Sequence, residues 1–394
     1  MTDSRDPAVP SAAAPPGSAD RPGVARRTDG ARRPDGADSP VVRPGRGPAA
    51  RRGVVLGLLG AAVAVGFVLA VALGSTVIPL DRAIPALLRA DGADPGAEVI
   101  IWTVRLPRAV TAVLAGAALA VAGVQMQTLF RNPLAEPYIL GVSSGASLGV
   151  ALAVTGWAGP AGTLTSQIAG PGRAGLVVAA SAGAAAVLML VLALSRRVRS
   201  VATILIIGVM VGSATSSLIT LLLAYSDGQR AQQYLTWSLG SYAGTTWEDL
   251  AVFASVCGAA LLAALSGVKP LNALLLGENY ARTMGVHVRR TRTMTLLTAS
   301  VLAGAVTAYC GPVAFLGLAV PHMAKLLLGT ADHRILMPAA VLLGAAVSLA
   351  CCIATQAPGS GMLLPLNAVT TVLGAPVVIA VLLRSRAARA GWTG

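Results

Sequence analysis

The sequence predicts an all-α, polytopic membrane protein with about ten transmembrane helices. Of its 394 residues 55% are hydrophobic and only 12% are charged, and the mean hydropathy is +0.72. Soluble proteins usually carry about twice that charged fraction. A chain of this length with so few charges cannot cover itself with a polar surface, so it is expected to lie in a bilayer.

Long apolar runs support this fold class, because a helix needs about 20 mostly apolar residues to cross the hydrocarbon core. Membrane barrel strands would be about half as long and alternating. The runs are rich in glycine, which lets membrane helices approach closely; examples are Gly116, Gly123, Gly141, Gly145 and Gly149. The predicted spans cover about residues 53–78, 109–128, 139–156, 174–195, 201–225, 250–268, 293–310, 312–328, 335–355 and 364–383.

The first 52 residues differ from the rest and are expected to form a disordered cytoplasmic tail. They contain ten arginines and six aspartates and show no apolar period. A signal peptide would begin its apolar stretch much earlier. An arm that binds a partner or anionic lipid is the alternative for this tail. Residues 387–394 are expected to form a short C-terminal tail.

The distribution of basic residues predicts the orientation, since cytoplasmic loops retain more lysine and arginine than translocated loops. With the N-terminus inside, the inner loops and C-terminus hold 14 such residues and the outer loops hold six. Both termini are therefore predicted to be cytoplasmic. The net charge of +14 is explained by topology, and no nucleic-acid partner is expected.

The first segment that does not look like a simple span runs from Arg105 to Gly149. Glutamines 125 and 127 stand near the end of a span, and Arg131-Asn132-Pro133 and Glu136-Pro137 follow. These residues predict a tight turn, fixed by proline, that re-enters the membrane. Irregular polar backbone at that depth is tolerated only against protein or a water-filled path.

The loop from Lys269 to Arg292 is too charged to span the membrane, and its pattern predicts a helix around residues 274–284. A short amphipathic helix on the cytoplasmic side could dock a partner. The alternative is an interfacial helix whose arginines face lipid head groups. His287 is interpreted as a solvated loop residue.

Prolines predict broken helices in two further segments. Gly311-Pro312 should interrupt the chain after one span, and Pro321-His322 lies inside the next. A proline there frees a backbone carbonyl, which must find a partner or line a cavity. Pro365, Gly374 and Pro376 predict another broken helix near the C-terminus. His322 is not expected to be catalytic, because no nucleophile or metal-ligand set accompanies it.

Two other sequence features limit the chemistry of the chain. Its four cysteines lie in apolar surroundings without a C-x-x-C pair, so they are interpreted as buried thiols. No G-x-x-x-x-G-K phosphate-binding loop occurs, so an ATPase that drives this chain must be another polypeptide.

In these segments the chain resembles the FecCD family, the permease subunits of ABC importers for iron-siderophore complexes, haem and cobalamin. The resemblance covers about residues 53–386. It is carried by residues 105–108 (RLPR), Gln127, residues 131–137 (RNPLAEP), Leu140-Gly141, Gly145-Ala146, residues 237–241 (WSLGS), Leu276-Gly277-Glu278, Ala281, Gly285-Val286, residues 315–318 (FLGL), Pro321-His322 and Gly374-Ala375-Pro376.

The resemblance implies the BtuC-like architecture of an ABC importer permease in the bacterial plasma membrane. Two permease subunits would form the path, with two cytoplasmic ATPases, which use ATP and Mg, and an extracytoplasmic binding protein. This chain would bind no cofactor or metal. The coupling loop to the ATPase would comprise Gly277, Glu278, Ala281, Arg282, Gly285 and Val286. Arg105 and Arg108 would dock the binding protein. The motif and path residues would be Gln127, Arg131, Asn132, Pro133, Glu136, Pro137, Gly317, Pro321 and His322.

The chain departs from the family pattern near the end of its ninth span. Cys352, Gln356 and Leu363 stand where the family usually has an Asp, an Arg and a Glu. Positions 352 and 356 share a helix face, so the two changes together delete an ion pair. These departures suggest one half of a heterodimer whose other permease keeps the docking charges; a homodimer that docks through Arg105 and Arg108 alone is the alternative.

The expected function is therefore a permease for ferric-siderophore uptake, with cobalamin or haem as alternative substrates. An ion-coupled secondary transporter would normally place acidic residues or histidines at the bilayer midplane, and the predicted spans hold few of these. A membrane-embedded enzyme would need a nucleophile and base or a set of metal ligands, which the sequence lacks.

Overall fold

The computed structural model describes residues 48–74, 78–90, 94–156, 173–195, 200–356 and 363–390, and these contain helices and no strand. The all-α prediction is confirmed. The helices are α1 (Pro48–Ala72), α2 (Leu80–Leu88), α3 (Pro95–Ile100), α4 (Leu106–Phe130), α5 (Val142–Thr155), α6 (Arg173–Ser195), α7 (Val201–Ala224), α8 (Gly228–Ser238), α9 (Trp247–Ser266), α10 (Val268–Leu275), α11 (Glu278–Thr283), α12 (Val288–Cys310), α13 (Leu316–Leu328), α14 (His333–Thr355) and α15 (Leu366–Ala390).

Ten of these helices coincide with the ten predicted spans. Among the described residues seven helices are long and apolar enough to cross a membrane: α1, the continuous run through α3 and α4, α6, α7, α9, α12 and α14. Helices α5, α13 and the apolar part of α15 are shorter. Helix α5 follows a turn that contains Pro137 and Gly141, and α13 follows one that contains Gly311 and Pro312.

Helix α4 forms the centre of the bundle. A π-helical turn, Ile101–Arg105, joins it to α3 without a break. Most of its residues are buried, and it packs on α9, α12, α13 and α14. Its 25 residues correspond to a length of about 37 Å at 1.5 Å per residue. The two ends of α4 therefore lie near opposite faces of a bilayer.

Glycines on α4 and α5 allow backbone-to-backbone contact, as the sequence predicted. A Cβ added at Gly116 would overlap the carbonyl oxygen of Gly344 on α14, and one at Gly123 would overlap that of Gly317 on α13. A Cβ at Gly149 would overlap the carbonyl of Ala179 on α6. Small residues are thus required at these crossings.

The structure corrects two predicted chain ends. Helix α1 begins at Pro48, so the last five residues of the predicted 1–52 tail are helical; residues 1–47 lie outside the described part. Helix α15 continues to Ala390, past the predicted start of the C-terminal tail at 387.

Two predicted helix breaks are also wrong. Pro321 lies inside α13 and Pro376 inside α15 without ending either helix. The carbonyl that Pro321 leaves without its helical donor is that of Gly317, which faces α4 at Gly123. By contrast, the chain does leave the helix at Gly311, where φ is +74°. The helix predicted over 274–284 is divided into α10 and α11 by Gly277, whose φ is +118°.

Candidate functional site

The α10–α11 segment presents an exposed apolar stripe at the Arg131 end of α4. Leu276 precedes α11, Tyr280 lies within it and Met284 follows it, and their exposed fractions are 63%, 57% and 57%. Ala281, on the other side of α11, is fully buried. The segment is therefore packed against the bundle on one side and offers large apolar side chains on the other.

An ion pair fixes α11 to the start of α12. Oε1 of Glu278 lies 2.6 Å from Nη2 of Arg292, and its Oε2 lies 3.8 Å from Nη2 of Arg282. The Arg292 side chain is 13% exposed, and that of Arg282 is 65% exposed. Because shielded ion pairs are less screened by solvent, the contact with Arg292 dominates.

Arg131 attaches the same segment to α4. Its Nη2 donates a hydrogen bond of 3.1 Å to the carbonyl of Leu274, in the last turn of α10. A guanidinium is favourable there because the carboxyl end of a helix carries partial negative charge. Arg131 itself has a φ of +47° and ends α4. Gly277 lies next to its guanidinium, where an added Cβ would be 3.4 Å from Nη2.

The predicted turn after α4 is present. The Asn132 side chain accepts a hydrogen bond from the backbone N–H of Leu134, and its carbonyl accepts one from that of Ala135. Pro133 is exposed, and Pro137 opens a single 3₁₀ turn, Pro137–Leu140, before α5. Glu136 is half-buried, and burial raises the pKa of its carboxyl group.

Three motif residues meet where α4 crosses α13. Gln127 donates to the carbonyl of Leu318 at 3.1 Å and accepts from Nζ of Lys325 at 3.0 Å. An added Cβ on Gly317 would lie 2.8 Å from Cδ of Pro137. His322 is half-buried on α13, one turn before Lys325. The motif thus builds a close helix crossing beside the α10–α11 segment.

A buried histidine that the sequence analysis did not select connects three helices at this end. His333 is 1% exposed. Its Nε2 lies 2.8 Å from Oγ1 of Thr128 on α4, and its Nδ1 lies 2.7 Å from Oδ1 of Asn272 on α10. Asn272 in turn donates to the carboxylate of Asp332. The sequence did not indicate that His333 connects these helices, because its hydrogen-bond partners are distant in sequence.

Asp332 completes this connection at the start of α14. Its carboxylate accepts the backbone N–H of Arg334 and the amide of Asn272, and these two hydrogen bonds lower the pKa of its carboxyl group. The N-terminus of α14 is therefore held to α10 by a charge-assisted contact.

At the opposite end of α4, Arg105 is buried. It is 3% exposed, and its Nη1 donates to the carbonyls of Val71 and Ala72 at 2.9 Å and 2.6 Å. Both carbonyls belong to the last turn of α1. This geometry does not fit the docking role predicted for Arg105, because a buried guanidinium bound to carbonyls offers no group to a partner in this conformation.

Replacing Arg105 by alanine is expected to destabilise the chain. Two helix-terminal carbonyls would lose a charged donor, which costs about 1.5–3 kcal/mol. Unfolding of the detergent-solubilised protein checks this, with Arg105→Lys expected to retain part of the stability. Unchanged stability together with weaker attachment of a binding protein would contradict this helix-capping role and favour docking.

Arg108 lies one turn further along α4, beside the residues that depart from the family pattern. It lines a small cavity with Gln356 and Leu363. Its Nε is buried and has no hydrogen-bond partner among the described residues. Cys352 and Gln356 are both buried. The sequence placed Cys352 and Gln356 on one helix face; their burial and their position beside Arg108 could not be inferred from it.

Comparisons with known proteins found a matching family, related sequences and a structure of similar fold. The profile of the FecCD transport family matches residues 62–384. The vitamin B12 import system permease protein BtuC of Klebsiella pneumoniae is 36% identical over 289 residues, which cover 73% of this chain and 84% of that protein. BtuC of Escherichia coli O9:H4 is 35% identical over 296 residues, 75% of this chain and 87% of that protein.

A solved structure is also similar in fold. It is described as an inward-facing conformation of a transporter assigned to the metal-chelate type of ABC transporters. It matches with a TM-score of 0.73 and 27% identity, over 84% of this chain and 99% of its own.

Proposed function

Because the chain belongs to the FecCD transport family and is thus a permease of an ABC importer, we propose that it carries an intact metal chelate across the plasma membrane. The energy comes from separate ATPase subunits that dock on the α10–α11 segment. This chain itself binds no cofactor; ATP and Mg are used by the partner.

The observation that carries the proposal is the exposed stripe of Leu276, Tyr280 and Met284 on a segment that is fixed from behind. Large, exposed apolar side chains on one short segment suit a groove on a partner protein. Arg131 and Glu278 tie this stripe to α4 and α12. A movement of these side chains, caused by the bound partner, would therefore be transmitted to the membrane helices.

The orientation follows from the same proposal. The α10–α11 segment and both termini face the cytoplasm, and the Arg105 end of α4 faces outward. Arg108 is better suited than Arg105 to meet the extracytoplasmic binding protein, because its side chain is only half-buried and lines a cavity with Gln356 and Leu363. Rim charges of this kind act mainly on encounter and orientation.

A ferric siderophore is the proposed substrate, and cobalamin is the second candidate. The siderophore assignment rests on the family resemblance. The cobalamin candidate is favoured by the two relatives named as vitamin B12 permeases. Both substrates are large metal chelates, and the solved neighbour is likewise assigned to the metal-chelate type.

The proposed partner within the membrane is a second, different permease. Cys352 and Gln356 remove an ion pair that the family usually has, and the structure buries both residues beside Arg108. A partner chain that keeps these charges would supply the missing docking contacts. Cross-linking in cells that shows only self-pairing would contradict the heterodimer.

Transport by a deletion strain tests the substrate. Uptake of labelled ferric siderophore is expected to be lost on deletion and restored by the wild-type gene, whereas uptake of labelled cobalamin is expected to persist. The reverse pattern would assign cobalamin. Uptake that follows the proton gradient and not ATP would contradict the importer itself.

A further inference from the structure

Two cavities meet around the first turns of α12. One, of about 480 Å³, lies between α9, α10 and α12. The other, of about 600 Å³, lies along the start of α12. Both are lined by Val286, His287, Arg290 and Met294. Because they share these four residues, the two cavities are neighbours, and we call the pair the α9–α12 groove.

The outer part of the α9–α12 groove is basic. His287 and Arg290 line both cavities, and Arg282 and Arg289 line the second. No carboxylate lines either cavity among the residues that the structure describes. Arg282 has Glu278 nearby, whereas Arg290 makes no ion pair within 4.0 Å in the described part of the chain. Charge complementarity therefore favours an anionic occupant.

The inner part of the α9–α12 groove lies along membrane-spanning helices. Its lining continues along α12 from Arg290 to Thr298 and includes Ala263 of α9. Eight residues of helix correspond to a depth of about 12 Å. Leu262 and Leu297, on the flanking helix surfaces, are exposed. This part of the lining also contains Gln125, Ser266 and Thr298, whose side chains are hydrogen-bonded within the chain. A soluble partner could reach the basic rim but not this depth between membrane-spanning helices.

We infer that the α9–α12 groove binds an anionic phospholipid. Its phosphate is bound by Arg290 and His287, and an acyl chain lies between Ala263 and Met294. The basic rim and the continuation of the groove between membrane-spanning helices match the two ends of such a molecule, and Arg290 lies where a head group would be, at the third residue of a span. Anionic head groups attract basic residues at the membrane surface.

This site adjoins the link between α11 and α12. Gly285, Val286 and His287 form that link, and all three line the cavity between α9, α10 and α12. A bound lipid would therefore support the position of α11 from the membrane side. The inference concerns binding by the isolated chain and does not depend on the proposed transport function.

Lipid titration of the purified full-length chain tests the inference. After removal of native lipid, phosphatidylglycerol is expected to bind more tightly than phosphatidylcholine with the same acyl chains, as measured by native mass spectrometry. Arg290→Gln is expected to weaken phosphatidylglycerol binding about fivefold, the factor for one basic residue at an anionic surface. Ala263→Leu, which keeps every charge, should also weaken it by narrowing the groove.

Arg334→Gln is the matched control, because Arg334 is an exposed arginine at the same end of the bundle that does not line either cavity. Size-exclusion profiles show whether each variant folds. If Arg290→Gln does not fold, Ala263→Leu tests the inference in its place. Equal binding of the two lipids, or an equal loss with Arg334→Gln, would overturn the inference. So would unchanged phosphatidylglycerol binding by folded Arg290→Gln and Ala263→Leu variants.

Discussion

Replacement of Gly123 by alanine is expected to abolish most of the folded protein. The added Cβ would overlap the carbonyl oxygen of Gly317, and a backbone atom cannot rotate away as a side chain can. This overlap can be relieved only if α13 moves away from α4. Overpacking of this kind costs about 1–3 kcal/mol and occasionally more, and the upper end is expected for a clash between two buried helix backbones.

The measurement is the yield of monodisperse protein and its unfolding temperature in mild detergent. Gly258→Ala is the matched control: it lies within α9, a membrane-spanning helix, and an added Cβ there meets nothing within 4 Å. That variant should be as stable as the wild type or slightly more stable, since alanine favours helix by about 1 kcal/mol. Equal stability of the two variants would contradict the backbone contact between α4 and α13.

The packing at Gly123 shows how far the sequence predicts the fold. Glycine-rich apolar runs predicted close helix crossings, and the position of the runs predicted ten helices. The partner of each glycine depends on tertiary packing, so Gly344 and Gly317 could not be assigned to Gly116 and Gly123. Pro321 was expected to end its helix; instead, the helix continues and only the Gly317 carbonyl loses its donor.

The candidate site was predicted less completely. The loop that contains Glu278 was identified from its charge and from the family resemblance, but its break at Gly277 depends on a positive φ that sequence alone does not give. From sequence alone an arginine is expected to be exposed. The burial of Arg105 follows from the position of α1, which only the structure gives. His333 was missed because its hydrogen-bond partners come from distant segments of the chain.

Replacement of Glu278 by alanine is expected to reduce transport at least tenfold while the membrane helices stay folded. The change removes the carboxylate that lies 2.6 Å from Arg292, whose side chain is only 13% exposed. A hydrogen bond between charged groups contributes about 1.5–3 kcal/mol, and each 1.4 kcal/mol is about a tenfold change in population. The ratio of the docked to the undocked position of α11 would then fall at least tenfold.

Two measurements separate this effect from general unfolding. Hydrogen exchange should accelerate at the amides of Glu278–Thr283 and remain slow in α4, and ATP-driven uptake should fall in parallel. Arg282→Ala is the matched control for hydrogen exchange, because Arg282 is 65% exposed and 3.8 Å from Glu278; exposed pairs of this kind contribute about 0.3–0.5 kcal/mol, so exchange at these amides should stay within about threefold of the wild type. If Arg282→Ala were as damaging as Glu278→Ala, the contact with Arg292 would not be what holds α11. The double variant Glu278→Ala, Arg292→Met leaves no buried charge without a partner. If the contact with Arg292 holds α11, this double variant should be less damaging than the two single losses combined.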